Sequence, residues 1–324
     1  MTVIAHHRSR TAARATSPLR SRQAVRNLLE PQTLTPADLS MVLLVTEEPA
    51  DRPMPTVTLA EIPAVIREAA RLGIRSVKLF AESSGRDTTG EISLAPSSLM
   101  ARAVHACKDT APALAVMTET CLCSYTSDGA CYVTGRNGRP DVPATIEITA
   151  EQAVAHADAG ADIVGPAFMV LGTVGCARKA LDQSGHDGVS VMPHVIFWSS
   201  LYDGFRLTMN AAPKAGVNRE FQINPGRADQ FVDTALRMEE AGADMLLLEP
   251  AQFTADVLAT LRRQTHAPLF PFSVSGEYTS MTRVEPETGR RDVRLLVELF
   301  TMLKRAGASG SITYAALDIA RQLT

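Results

Sequence analysis

Short apolar runs alternate with helical-period stretches almost from end to end of the chain, and this alternation limits the fold more than any other feature. Strands are predicted over Met41–Thr46, Ser76–Phe80, Ala113–Thr118, Asp162–Pro166, Val189–Phe197, Asp244–Pro250, Leu269–Ser275 and Gly310–Ala315, each bounded by turn residues. Helices are predicted between them, among others over Leu59–Leu72, Ala150–Ala159, Ala228–Ala241, Ala255–Gln264 and Val293–Ala306. Strands separated by helices pair in parallel through right-handed crossovers, and eight such units close a (β/α)8 TIM barrel of the α/β class. Ala-Gly-Ala-Asp at 159–162 and 241–244, and Ala-Gly-Ala-Ser at 306–309, each read as a helix-terminating glycine leading into the next strand.

The barrel is assigned to 41–324. Residues 1–40, broken by Pro18, Pro31 and Pro36, lack its periodicity and read as an extended N-terminal arm. Leu19, Val25, Leu28 and Leu29 on that arm are apolar residues a lone barrel cannot bury, so a homo-oligomer, at least a dimer, is expected. Two long irregular segments, 119–148 and 198–227, follow strands three and five. They therefore lie on the C-terminal face, where barrel enzymes build their sites. With 45% hydrophobic and 21% charged residues and a formal net charge of −3, neither nucleic acid nor an anionic membrane is expected as partner. No apolar run is long enough to span a bilayer. His6-His7-Arg8 leads into an Arg-rich Ser/Ala stretch without an apolar signal core, so the cytoplasm is the expected compartment.

Cys121-Leu122-Cys123, then seven residues, then Cys131 fall in the first irregular segment. Three thiolates this close suit a tetrahedral zinc ion with one open position, as catalytic zinc keeps. A disulfide between two of them, or three unrelated core thiols, also satisfies the spacing; a reducing compartment favours metal. Cys107 and Cys176 lie apart and are read as small buried apolar residues.

The chain resembles the porphobilinogen synthase (5-aminolevulinate dehydratase) family over nearly its whole length. The residues that carry the likeness are Cys121-Leu-Cys-Ser-Tyr-Thr-Ser-Asp-Gly-Ala-Cys131, Ala159-Gly-Ala-Asp-Ile-Val-Gly-Pro166, Gly242-Ala-Asp-Met245, Val274-Ser-Gly-Glu-Tyr278 and Ile312-Thr-Tyr314. The resemblance implies zinc at Cys121, Cys123 and Cys131, and an arm that embraces a neighbour, building octamers from dimers. It also implies Ser275 and Tyr314 as hydrogen-bond donors to a substrate carboxylate, with Arg206 and Gln222 on the substrate from the loop after strand five.

The family's chemistry needs two lysines that form Schiff bases. The first sits in a Ser-Tyr-Ser-Ala-Lys-Tyr context, and here Phe197 stands where that lysine is implied, with a following loop one residue shorter than the family's. The second sits in Val-Lys-Pro, which here reads Leu248-Glu249-Pro250. Only five lysines occur in the chain, and of these Lys78 and Lys214 are the candidates for a displaced amine. Ala167-Phe168-Met169-Val170-Leu171-Gly172-Thr173 replaces a family run bearing two acids and an arginine, Asp128 and Ala130 replace loop histidines, and Glu119 replaces an Asp. A carboxylate or phenyl ring cannot form an imine. The expectation is a zinc-dependent, lyase-like enzyme of specialised biosynthesis that has left Schiff-base chemistry and acts on a small carboxylate-bearing carbonyl or amino compound. Glu249 and His194 are its expected proton-moving residues, and Phe197 lines its pocket. The rival is a non-catalytic relative that binds a metabolite or partner.

Overall fold

The computed structural model describes residues 22–29, 34–49, 51–212 and 221–324. All eight predicted strands form: β1 Leu39–Val45, β2 Ser76–Ala81, β3 Ala115–Thr120, β4 Ile163–Pro166, β5 in two pieces (Ser190–Val191 and His194–Ile196), β6 Leu246–Glu249, β7 Leu269–Ser273 and β8 Ser311–Thr313. Every pairing among them is parallel, with β1 between β2 and β8 and β7 between β8 and β6. β5 is interrupted where Pro193 has no N–H to donate. Its first piece pairs with β4 and its second with β6, so this strand closes the ring. Met192 N donates to Val164 O at 2.8 Å, and Pro193 O accepts from Leu247 N at 3.1 Å. β1 is buried at every position, as expected of a parallel strand covered on both faces.

In chain order the helices are α1 Gln23–Leu28, α2 Ile62–Arg71, α3 Leu99–Thr110, α4 Val142–Asp158, α5 Leu171–Gln183, α6 Asp203–Thr208, α7 Ala228–Glu240, α8 Ala255–Leu261, α9 Ser275–Met281, α10 Arg294–Ala306 and α11 Ala316–Leu323. On α10, Leu296, Leu299, Phe300 and Leu303 recur at helical spacing and are buried. Gly307 ends that helix at φ +120°, and a Cβ there would stand 2.6 Å from Arg262 Cγ, so only glycine fits. α4 starts earlier than its periodicity indicates: Asp141 Oδ1 accepts from Ala144 N at 3.1 Å and caps it. The irregular segment after β3 is correspondingly shorter.

The chain divides after Thr33, and the unit that holds the barrel runs from residue 34 to 324. The barrel unit thus begins before residue 41. Leu34 is buried in its core, Pro36–Asp38 make one 3-10 turn, and Asp38 pairs with Lys304 at 2.7 Å. Of the arm, residues 1–21 and 30–33, with Leu19, lie outside the described residues. α1 is helical rather than extended, and its last residue Leu28 and the following Leu29 are exposed. No helix among the described residues is long and apolar enough to cross a membrane.

Candidate active site

The C-terminal ends of the strands surround a cavity of about 100 Å³. Phe80 of β2, Glu119 of β3, His194 and Ile196 of β5, Glu249 of β6, Phe272 of β7 and Tyr314 after β8 reach it from the barrel. The loops add the three cysteines, Phe168, Phe221 and Gln222, and α6 adds Arg206.

The loop leaving β3 is shaped by its own backbone and by three side chains. Tyr125 N and Thr126 N both donate to Leu122 O, at 2.8 and 2.9 Å, which turns the chain immediately after the cysteine pair. Asp128 accepts from Ala130 N at 3.0 Å and from Thr134 Oγ1 at 2.7 Å, steering Cys131 back toward that pair. Arg86 Nη1 donates to Cys123 O at 2.9 Å and Gln152 Nε2 to Cys121 O at 3.2 Å, anchoring the turn to the barrel.

Cys121 Sγ and Cys123 Sγ stand 3.3 Å apart, and all three sulfurs lie within 4.8 Å of one another. Tetrahedral zinc with bonds of about 2.3 Å needs sulfurs roughly 3.8 Å apart, so the set fits such an ion. None of the five cysteines is in a disulfide. The hydrogen bond that Cys121 donates to Cys123, then its bond with Cys131, then burial hold the Cys121 thiol well above its usual range. A cation that replaces the thiol protons relieves all three effects. Cys107 is buried as expected, its thiol pushed up to about 12 by burial, but Cys176 is exposed on α5. A cysteine on an outer helix face needs no apolar shelter.

At β5 the pleat corrects the expected register. Side chains alternate between faces, so His194 and Ile196 share the cavity side and Phe197 turns away. Phe197 is 2% exposed and stacks on Phe231 of α7 with ring centroids 4.3 Å apart. Phe197 is therefore a core residue and not a pocket residue. Set against the family's Ser-Tyr-Ser-Ala-Lys-Tyr run, this pleat implies Ile196 rather than Phe197 at the lysine's position.

Beside it, Glu249 Oε1 and His194 Nδ1 are 2.8 Å apart and both side chains are buried. Burial, then the Glu119 charge, raises the Glu249 carboxyl well above its usual range. Burial, then the Lys78 charge, lowers His194 well below its own. Both shifts favour the uncharged forms, and in such a neutral pair the Glu249 carboxyl donates to Nδ1 and leaves the imidazole proton on Nε2. That Nε2 is buried and has no hydrogen-bond partner among the described residues.

Lys78 is fully buried in the layer beneath, and it does not line the cavity. Its Nζ donates to Thr118 O at 3.1 Å, and a Cβ on Gly165 would stand 2.9 Å from it, so the glycine makes room for the ammonium. Burial pulls Lys78 down to about 8, opposed by Glu119 and Glu249. Glu119 is pushed up to about 7 by burial, opposed by Lys78. In sequence the only signal is one lysine inside the apolar run Ser76–Ala81. Lys214 lies outside the described residues.

Arg206, Gln222 and Tyr314 come together with the cysteines, His194 and Glu249 around the cavity; Ser275 does not. Its buried hydroxyl donates to Leu201 O at 2.8 Å and accepts from Phe205 N at 3.0 Å, clamping α9 to α6. Glu277, also on α9, accepts from Ala251 N, Gln252 N and Val274 N, fixing the chain just after Glu249. Burial pushes Glu277 up to about 7 against those three bonds. Arg206 lies 5.7 Å from the Tyr202 ring and 3.4 Å from Asp203. Sequence reasoning missed the aromatic wall of Phe80, Tyr202, Phe205, Phe221 and Phe272, which sit in unrelated elements with no spacing to connect them.

Comparison with known proteins gives one consistent match. The family model for delta-aminolevulinic acid dehydratase matches residues 13–322. The delta-aminolevulinic acid dehydratase of Escherichia coli is 35% identical over 312 residues, covering 94% of this chain and 96% of that protein. The Streptomyces coelicolor protein of the same description is 32% identical, over 94% of this chain and 96% of its own length. The Toxoplasma gondii enzyme, solved in complex with the reaction product porphobilinogen, superposes with a TM-score of 0.87 at 28% identity, covering 95% of this chain and 91% of that one.

Proposed function

The chain belongs to the delta-aminolevulinic acid dehydratase family, and we propose that within it the chain is a zinc-dependent lyase that works without a Schiff base. The observation that carries this reading is the pair of strand ends where family lysines are implied: Ile196 is apolar, and Glu249 is a buried acid bonded to His194 at 2.8 Å. Neither side chain can form an imine. The reaction is a dehydration, cyclising condensation or aldol-type step on a small carboxylate-bearing carbonyl or amino compound, in specialised biosynthesis.

Cys121, Cys123 and Cys131 hold the zinc, which when bound polarises a carbonyl or hydroxyl oxygen. Arg206 and Gln222 orient the substrate, and Tyr314 contributes its hydroxyl. His194 Nε2–H gives a proton to the departing oxygen while the Glu249 carboxyl proton moves to Nδ1, leaving neutral imidazole beside a carboxylate. Glu119, the other carboxyl on the cavity wall, accepts the carbon-bound proton. The aromatic rings around these groups exclude water.

The exposed Leu28 and Leu29 at the end of α1 support assembly as a homo-oligomer, from a dimer up to an octamer, and the compartment proposed is the cytoplasm. Elemental analysis of protein purified without chelator tests the metal: about one zinc per chain is expected. A metal-free protein with full activity on its substrate contradicts it.

A further inference from the structure

Behind the cavity wall, an arginine side chain joins the metal loop to the helix that carries Arg206. The segment after β2 is stitched to that loop along its backbone: Asp87 N donates to Tyr125 O at 3.1 Å, and Ser127 N donates to Asp87 O at 2.7 Å. The Asp87 carboxylate accepts from Thr89 N at 2.8 Å and Ile92 N at 2.9 Å, which pins the segment's own turn. Arg86, the preceding residue, spreads its half-buried guanidinium over two regions. Nη1 donates to Cys123 O at 2.9 Å and to Thr126 O at 3.2 Å, and Nη2 donates to Met209 O, just past the end of α6, at 3.2 Å. Other bonds hold α6 as well. Ser275 Oγ accepts from Phe205 N, Arg52 donates to Thr208 O, and Met54 N donates to Thr208 Oγ1 at 3.0 Å. Those partners belong to α9 and to the loop after β1, and none of them touches the metal loop through these bonds.

We propose that Arg86 is a positioning residue that makes the placement of Arg206 depend on metal occupancy. This deepens the proposed function, and it rests on that reading for zinc at the three cysteines and for Arg206 as the substrate's anchor. A guanidinium is a rigid planar fork, so a displacement of the Cys123 carbonyl passes to Met209 O instead of being absorbed by side-chain torsions. Its bonds are charge-assisted and correspondingly strong. α6 is only six residues long, too short to keep its place without tertiary contacts. An ion that closes on Cys121, Cys123 and Cys131 orders the turn behind them, and order already imposed by the metal is not imposed again when α6 docks. The dependence is reciprocal: α6 in place favours the metal as much as the metal favours α6. Arg206 is thus best seated when the ion that polarises the substrate is present.

Hydrogen exchange of the full-length protein, with zinc bound and after chelator treatment, tests the proposal on the peptide 203–209. Zinc is expected to slow exchange in this peptide by at least about fivefold relative to α10. In Arg86→Met, and in Arg86→Lys, which puts a compact ammonium in place of the fork, zinc still binds and the slowing falls below about twofold. Should one of these variants lose its fold, the other decides. Arg52→Met speeds exchange at 203–209 with and without the metal but keeps the zinc response, which separates a tether that only holds α6 from one that links it to the metal. A zinc response retained without Arg86, or absent from the wild-type chain, overturns the proposal. Zinc content is measured on every sample. A wild-type chain that binds no zinc fails the zinc reading and takes this proposal with it, whereas one that binds zinc without slowing at 203–209 fails this proposal alone.

Discussion

Two regions face the one cavity and stand in opposite relation to the family resemblance. The loop after β3 keeps the three thiols that the family resemblance implies, and it is held by contacts made almost wholly to its backbone: Arg86 on Cys123 O, Gln152 on Cys121 O, Asp128 on Ala130 N. The ends of β5 and β6 keep the strand geometry but carry Ile196 and Glu249 where lysines are implied. Because backbone bonds shape the metal loop, side chains on the opposite strands can change without disturbing it. On the proposed reading, the barrel thereby separates the place that would bind a cation from the place that would move protons.

The largest effect expected is on the loop side. Cys123→Ala leaves two thiols, too few for a closed zinc site, so bound zinc and turnover should both fall below detection. Full activity in that variant would break the comparison at its metal half. On the strand side, Glu249→Gln keeps shape and removes the carboxyl proton. A loss of about 10²–10⁴-fold in kcat is expected with zinc content unchanged, measured on the substrate found by ligand screening. If the rate survives, Glu249 is structural and His194→Gln becomes the deciding variant.

Lys78 sharpens the strand half through stability. Held at about 8 against an ordinary 10.5, it is protonated more readily in the unfolded chain between those values. Its contribution is therefore present at high pH and lost as pH falls through 8. Facing it are Glu119, Glu249, His156 and His194. Lys78→Met should shrink the gain in unfolding free energy between pH 7 and pH 10 by about 3 kcal/mol, read by urea denaturation of zinc-saturated protein. Identical pH slopes in the two proteins would count against it. The smallest effect concerns Phe197, which packs on Phe231 away from the cavity. Phe197→Leu should cost about 1 kcal/mol of stability and leave ligand affinity unchanged, whereas weakened binding would return Phe197 to the pocket.

The parts of the molecule legible in sequence are those with a repeating physical signal. Eight apolar runs bounded by turns announce a parallel barrel because parallel strands are buried on both faces. That same property hid the register at β5. Val195-Ile196-Phe197 is apolar throughout, so no alternation marks which side chains face inward, and one residue of slip moved the pocket position from Ile196 to Phe197. The start of α4 was masked by Val142, Thr145, Ile146, Ile148 and Thr149, β-branched residues that weaken helical propensity. The cysteine triplet was visible from spacing alone. Ser275 was visible as a residue, but the commitment of its hydroxyl to Leu201 and Phe205 depends on α6 folding back, which no local pattern encodes. Lys78 was visible as a lone cation in an apolar strand, yet its depth and its charged neighbours come from three other strands.

The central claim is that proton transfer without an imine has replaced Schiff-base chemistry on this barrel, and one measurement meets it head on. Zinc-loaded protein is incubated with 5-aminolevulinate, treated with borohydride, digested, and mapped by mass spectrometry while the supernatant is assayed for porphobilinogen. The account predicts no reduced adduct on any lysine and no product. A stable adduct on Lys78 or Lys214, or porphobilinogen formed at a steady rate, would show that a displaced amine has kept the parent reaction and would contradict the account.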